Sequence, residues 1–333
     1  MNRIGSFCTA LIVCFSSATA QEPAKEKLHS PAEVMEILGA SKIQYEIRAD
    51  YEPSNAVVDT PFVLPPTWML KSSDRGISLV ELQGSPESVK LFADAEMAFR
   101  SEDYKNAIAD CRKCIALQPD YFPALRLIGD TYYHMGMLDS AIAAFKQAID
   151  LNFADYDSHW FLADTYTKAG QKDSALREIT TAFLLNVNHK HLNAVVRAYR
   201  KNYGRPWKEW DFRPLYTLTG EGNHVTVCAA TNWLGYALVK AAWKYEPGYA
   251  ESVTGGKSGD RNKNVINWPE EKEALVALMT DPEFKERFQP IIEEGYFQEF
   301  VLFEIAAKKA PAMMPLLPRE SFNRIIEYVE KFH

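Results

Sequence analysis

Between Pro86 and Asn188 the chain repeats itself about every 34 residues, and a small side chain returns at three fixed offsets. These are Ala95, Gly129 and Ala163; Ala107, Ala141 and Ala175; and Cys114, Ala148 and Ala182. A period in this range marks stacked helical pairs, each unable to bury its apolar face alone and each sealed by the next. Small residues let two helix backbones approach, while Leu125, Tyr132, Phe145 and Tyr166 fill the spaces between turns. The expected fold is therefore mainly α, a solenoid of helical hairpins over 86–188.

The second unit reads Leu125, Ile128, Gly129, Tyr132, Ala141, Phe145 and Ala148. The first keeps Leu91, Ala95, Ala107 and Pro119 but carries Ala98 and Cys111 where large aromatic residues are usual, and the third offers Leu162, Ala163, Tyr166, Ala175, Ile179 and Ala182, with Val187 in the proline slot. This pattern resembles the tetratricopeptide repeat (TPR). The resemblance implies a concave groove lined by the first helix of each pair. Carried onto this sequence, the groove positions are Phe92, Arg126 and Trp160; Glu96, Asp130 and Asp164; Phe99, Tyr133 and Thr167; and Arg100, His134 and Lys168. It also implies a protein or peptide partner, with Phe92, Phe99, Tyr133 and Trp160 as anchors and the acid row selecting basic or amide groups. Relatives that clamp a C-terminal carboxylate place Lys and Asn in this groove, so three acids here argue against that ligand. A plainer reading pairs each acid with the base four residues on, Glu96 with Arg100, Asp130 with His134 and Asp164 with Lys168, the favourable order on an exposed helix. The chain's own N-terminal segment is a rival occupant.

After Asn188 the period fails. Leu192, Val195, Val196 and Tyr199 still form an apolar stripe opposite Lys190, Arg197, Arg200 and Lys201, as a terminal capping helix requires. The division expected is a signal peptide over 1–20, a tail and small α+β element over 21–85, three repeats plus capping helix over 86–203, and an aromatic-rich helical C-terminal domain over 204–333. In the α+β element, Ser30-Pro31 opens a short helix, Ile43 to Ile47 alternates as a strand, and Trp68 to Leu70 and Ile77 to Leu82 flank a long turn. It is expected to pack on the first repeat. In the C-terminal domain, Thr226 to Tyr245 reads as one helix that gathers Trp233, Tyr236, Lys240 and Trp243.

Arg3, the apolar run from Phe7 to Phe15, and Ala18-Thr19-Ala20 form an export signal, with cleavage expected after Ala20. A lipid-anchored alternative through Cys14 has bulky Val13 against it. No later stretch is long and apolar enough to span a bilayer. A formal net charge of −7 and a pI near 5.6 argue against nucleic acid as a partner. No pattern calls for a cofactor, a metal or a catalytic group. The loop Gly255-Gly256-Lys257-Ser258-Gly259 lacks the first glycine of a phosphate loop, and no apolar strand precedes it. His189 and His191 have no second ligand cluster, His224 no assigned partner, and the C-terminal acids Glu293, Glu294, Glu299 and Glu304 no defined pairing. Cys111 and Cys114 read as core packing in mid-helix. The sequence thus points to an exported, non-enzymatic scaffold, with self-association open to it. The alternative is a C-terminal enzyme or ligand-binding domain for which the repeats are a docking arm.

Overall fold

In a computed structural model of the chain the described residues are 28–49, 62–74, 76–210, 212–255 and 266–333. The export signal expected over 1–20 and the Lys257-Ser258 loop lie outside them. The described residues form two compact units, each assembled from separated stretches: 62–209 with Ala310–His333, and Trp210–Lys309 with 28–49.

The expected N-terminal elements form as α1 (Pro31–Gly39), β1 (Gln44–Arg48) and a hairpin of β2 (Trp68–Ser73) and β3 (Gly76–Glu81). Helix α1 starts on a reciprocal cap, in which the Ser30 side chain accepts the Glu33 N–H and Glu33 accepts the Ser30 N–H. The hairpin turn is tighter than expected, because Ser73 pairs directly with Gly76. These elements do not gather on the first repeat. The hairpin belongs to the first unit, while α1 and β1 belong to the second, where β1 finds a strand partner. A short strand needs such a surface to be stable.

The repeats are three helix pairs: α2 (Pro86–Arg100) with α3 (Tyr104–Leu117), α4 (Phe122–His134) with α5 (Leu138–Leu151), and α6 (Tyr156–Lys168) with α7 (Lys172–Leu185). The small residues at the three offsets lie at their crossings and are buried. At Gly129 the approach is so close that an added Cβ would stand 2.7 Å from the Phe145 ring. The turn inside each pair needs a left-handed residue, supplied by Gly136 (φ 76°) and Gly170 (φ 77°); in the first pair Glu102 takes that place at φ 63°. Helix α8 (Lys190–Asn202) ends on Gly204 at φ 74°, one more period along. The backbone repeat therefore continues half a unit past the point where the side-chain pattern fails.

In the second unit β4 (Tyr216–Glu221) and β5 (His224–Ala229) form a hairpin, and β1 joins parallel to β5 to give the order β1-β5-β4. The single helix expected over Thr226 to Tyr245 is thus corrected. Val225, Val227 and Ala229 alternate inward as a buried strand, and α9 (Leu234–Tyr245) begins only after a short 3-10 turn. Then come α10 (Tyr249–Thr254), α11 (Trp268–Ala277), α12 (Pro282–Glu293) and α13 (Phe297–Phe300), the last running through a π-helical turn (Val301–Ala306) into α14 (Ala307–Lys309). Phe212, Phe288 and Phe300 pack edge to face at its centre. The chain finally returns to the first unit. Although the sequence placed Ala310–His333 with the C-terminal domain, α15 (Arg319–Phe332) packs against α7, burying Phe322, Ile325, Tyr328 and Val329. Its apolar stripe needs a face to cover, and Phe322 meets Phe153 at the end of the second pair with ring centroids 5.1 Å apart.

Candidate partner-binding groove

The groove positions lie on the first helices α2, α4 and α6. Phe92 lies edge-on to Tyr121, with ring centroids 5.4 Å apart, and Phe99 to His134 at 5.3 Å. Tyr133 meets His134 on one side and takes Lys168 Nζ over its ring, 4.4 Å from the centroid. Trp160 is half-buried and its ring lies 5.2 Å from that of His191 on α8. All four predicted aromatic anchors are half-buried, neither lost in the core nor free in solvent.

Of the three expected acid–base pairs within a helix, only Asp130 with His134 closes, at 3.5 Å, among the described residues. Lys168 instead donates to the Tyr133 carbonyl at 3.4 Å, and Asp164 accepts a hydrogen bond from Tyr199 of α8. Arg126 turns away from the ligand role expected of it. Its guanidinium is held by Asp155 and lies 3.7 Å from Asp157, both at the start of the next pair, so it ties two repeats together. Glu96 is half-buried and Arg100 exposed. Burial pushes the Asp130 carboxyl above the ordinary aspartate value; His134 and Arg126 oppose this and Asp164 adds to it. Burial raises Asp164 as well, against the Tyr199 hydrogen bond. The groove thus holds two part-desolvated carboxylates that repel one another, and an incoming cation relieves both penalties.

A second polar constellation lies in the other unit. Lys240 Nζ sits 2.6 Å from Glu271 and 2.8 Å from Glu270, and Tyr236 donates its hydroxyl to Glu271 at 2.7 Å. Two residues further along α11, the fully buried Glu273 accepts from the His29 backbone N–H (2.8 Å), Trp243 Nε1 (2.6 Å) and the Tyr249 hydroxyl (3.1 Å), and meets His29 Nδ1 at 2.9 Å. Periodicity located Tyr236, Lys240 and Trp243, but their partners on α11 are set by tertiary packing and leave no periodic trace. The other candidates have structural roles. Cys111 and Cys114 are buried in the repeat core, where burial pushes the Cys111 thiol up to about 12. His189 caps α8 through Nδ1, and His224 lies 3.4 Å from Glu46.

The family profile of the tetratricopeptide repeat matches residues 95–121 and 123–155. The chain carries tetratricopeptide repeats. A third helix pair, α6 with α7, lies beyond the match and repeats the small-residue crossings and the left-handed glycine turn at Gly170. Solved structures similar to part of the chain include the first TPR of Spaghetti (RPAP3) bound to the HSP90 peptide SRMEEVD, with 14% identity over 36% of this chain and 95% of that one and a TM-score of 0.34. The TPR2B domain of yeast Sti1, in a complex with pHsp70, has 14% identity over 35% and 99%, with a TM-score of 0.33. The type III secretion chaperone SycD of Yersinia enterocolitica, in complex with a peptide of the translocator YopD, has 16% identity over 36% and 97%, with a TM-score of 0.33. No curated protein sequence matches the chain.

Proposed function

We propose that the chain is an exported, non-enzymatic scaffold whose tetratricopeptide repeats hold a partner protein or peptide in the concave groove. One observation carries this reading: half-buried Phe92, Phe99, Tyr133 and Trp160 flank the acids Glu96, Asp130 and Asp164 on consecutive first helices. Aromatic anchors supply contact area, and part-desolvated carboxylates favour lysine, arginine or amide groups over carboxylates. The partner is therefore a polypeptide segment with basic and apolar side chains. Lys240 and Glu271 are buried and bonded to each other, and Glu273 is buried and bonded to His29, Trp243 and Tyr249, which supports a scaffold over a C-terminal enzyme.

The test is affinity capture from the native envelope or medium with the intact chain, followed by binding measurements with Trp160→Ala and Asp130→Lys. Weaker binding of a captured partner by either variant supports the groove. If both bind every partner as the parent does, the groove reading fails. Fractionation with mass spectrometry of the N-terminus tests export: a start at Gln21 on protein outside the cytoplasm supports it, whereas protein retained in the cytoplasm with residues 1–20 intact contradicts it.

A further inference from the structure

The second helix of every repeat ends on a carboxamide: Gln118, Asn152 and Asn186, each 34 residues from the last. Gln118 and Asn152 are extended, with φ −134° and ψ 92°, and φ −144° and ψ 95°; Asn186 keeps the φ, −142°, at a ψ of 59°. Each presents both its oxygen and its nitrogen to the main chain of a remote stretch. Gln118 accepts from the Ser85 N–H (3.1 Å) and donates to the Gln83 carbonyl (3.0 Å). Asn152 accepts from the Leu70 N–H (3.2 Å) and donates to the Trp68 carbonyl (2.9 Å), and Asn186 does both with Leu64, at 2.9 and 3.1 Å. Asn188 adds a bond to the Phe62 carbonyl at 3.1 Å. Asn152 and Asn186 are 1% and 2% exposed.

We propose that this edge of the repeats is a second peptide-binding surface, a rail of carboxamides that takes the main chain of an extended polypeptide, with Phe62–Leu70 as its resident occupant in cis. A primary carboxamide offers an N–H donor and a C=O acceptor side by side, as a neighbouring β-strand does. Such a clamp reads backbone and not side chain, and it excludes only proline at the donating positions. The occupant obeys that rule: Pro65 and Pro66 lie between the clamped residues Leu64 and Trp68, and neither is asked for an N–H. Asn152 and Asn186 bond the incoming chain 82 to 122 residues away in sequence, which separates these clamps from ordinary helix caps. The rail is distinct from the concave groove, whose lining comes from the first helices.

A permanent staple is the competing account, and two measurements separate them. In native-state hydrogen exchange of the intact chain, a displaceable occupant exposes the Leu64 and Leu70 amides by local opening, so they exchange about tenfold or more faster than the Phe145 and Ile149 amides of α5. Exchange at the α5 rate overturns the proposal. In the second measurement, a labelled synthetic peptide of Phe62–Ser72 is titrated into the intact chain carrying Leu64→Asp, which removes the buried anchor of the cis segment. Saturable binding that falls about tenfold or more when Asn152→Ala and Asn186→Ala are added supports the rail. Equal binding by the two chains, or none to a folded Leu64→Asp chain, overturns it. If circular dichroism shows that Leu64→Asp does not fold, the exchange measurement on the unaltered chain decides.

Discussion

At the scale of single residues, the two units place carboxylates in opposite electrostatic situations, and acid tells them apart. Asp130 and Asp164 lie above their ordinary values because burial disfavours their charge. As pH falls through the window between ordinary and raised values, the folded state takes up protons first, so the repeats gain stability while the groove loses its charge for a basic ligand. Glu271 is the reverse. Burial alone would raise it, but Lys240, Lys309 and the hydrogen bonds from Lys240 and Tyr236 hold it below its ordinary value, so its contribution is present above the ordinary glutamate range and is lost as pH falls. Mild acidification is therefore expected to weaken binding of a cationic peptide, and Asp130→Asn to reproduce that loss without lowering the melting temperature; calorimetric titration and melting curves check both. Lys240→Met leaves Glu271 without its main counter-charge and is expected to cost about 3–5 kcal/mol in urea unfolding, much of which Lys240→Met with Glu271→Leu restores. The sequence showed the groove acids through their 34-residue spacing. It could not show that Arg126 bonds Asp155 and Asp157 of the next repeat, since a side chain's choice between ligand and neighbour follows from distances no spacing contains.

At the scale of elements, the repeats were legible because packing there is local and periodic, and the rest less so because its packing is neither. Small residues at fixed offsets announced the helix crossings, and Gly129 against Phe145 shows why. The same period exposes a defect. Gly136, Gly170 and Gly204 supply the left-handed turn residue, but Glu102 holds that conformation with a side chain. Glu102→Gly is expected to stabilise the first repeat by roughly 0.5–1 kcal/mol, after the entropy of the unfolded glycine is set against the strain, as chemical denaturation would show. Where strands and helices meet, pattern failed. The three- and four-residue steps from Trp233 to Trp243 drew Thr226–Ala229 into one helix, yet the β-branched Thr226 and Val227, with Val225 before them, pair with β4 and β1. Strand β1 itself was visible by alternation; its partner was not, because register between strands so distant in sequence is set by the folded sheet.

At the scale of the whole molecule, both units are built from chain ends brought back to the middle. Repeats begun near Pro86 are closed by α15, whose Phe322 meets Phe153 and whose Asn323 accepts from Arg177 at 2.9 Å. Deleting residues 310–333 uncovers that face, so the shortened chain is expected to melt well below the parent and to bind a hydrophobic dye; a parent-like melt would show the repeats to be self-sufficient. The second unit makes the same demand from the other end. His29 bonds Glu273 across 244 residues, and β1 pairs in parallel with β5. A ribosome adding about 5–20 residues per second needs on the order of 10–50 s to supply that partner. For that interval α1 and β1 have no fold to join, and α15 follows later still. The second unit is thus held open by its own connectivity, and a nascent chain carries α1 and β1 uncovered until the strand and helix that complete them have been made.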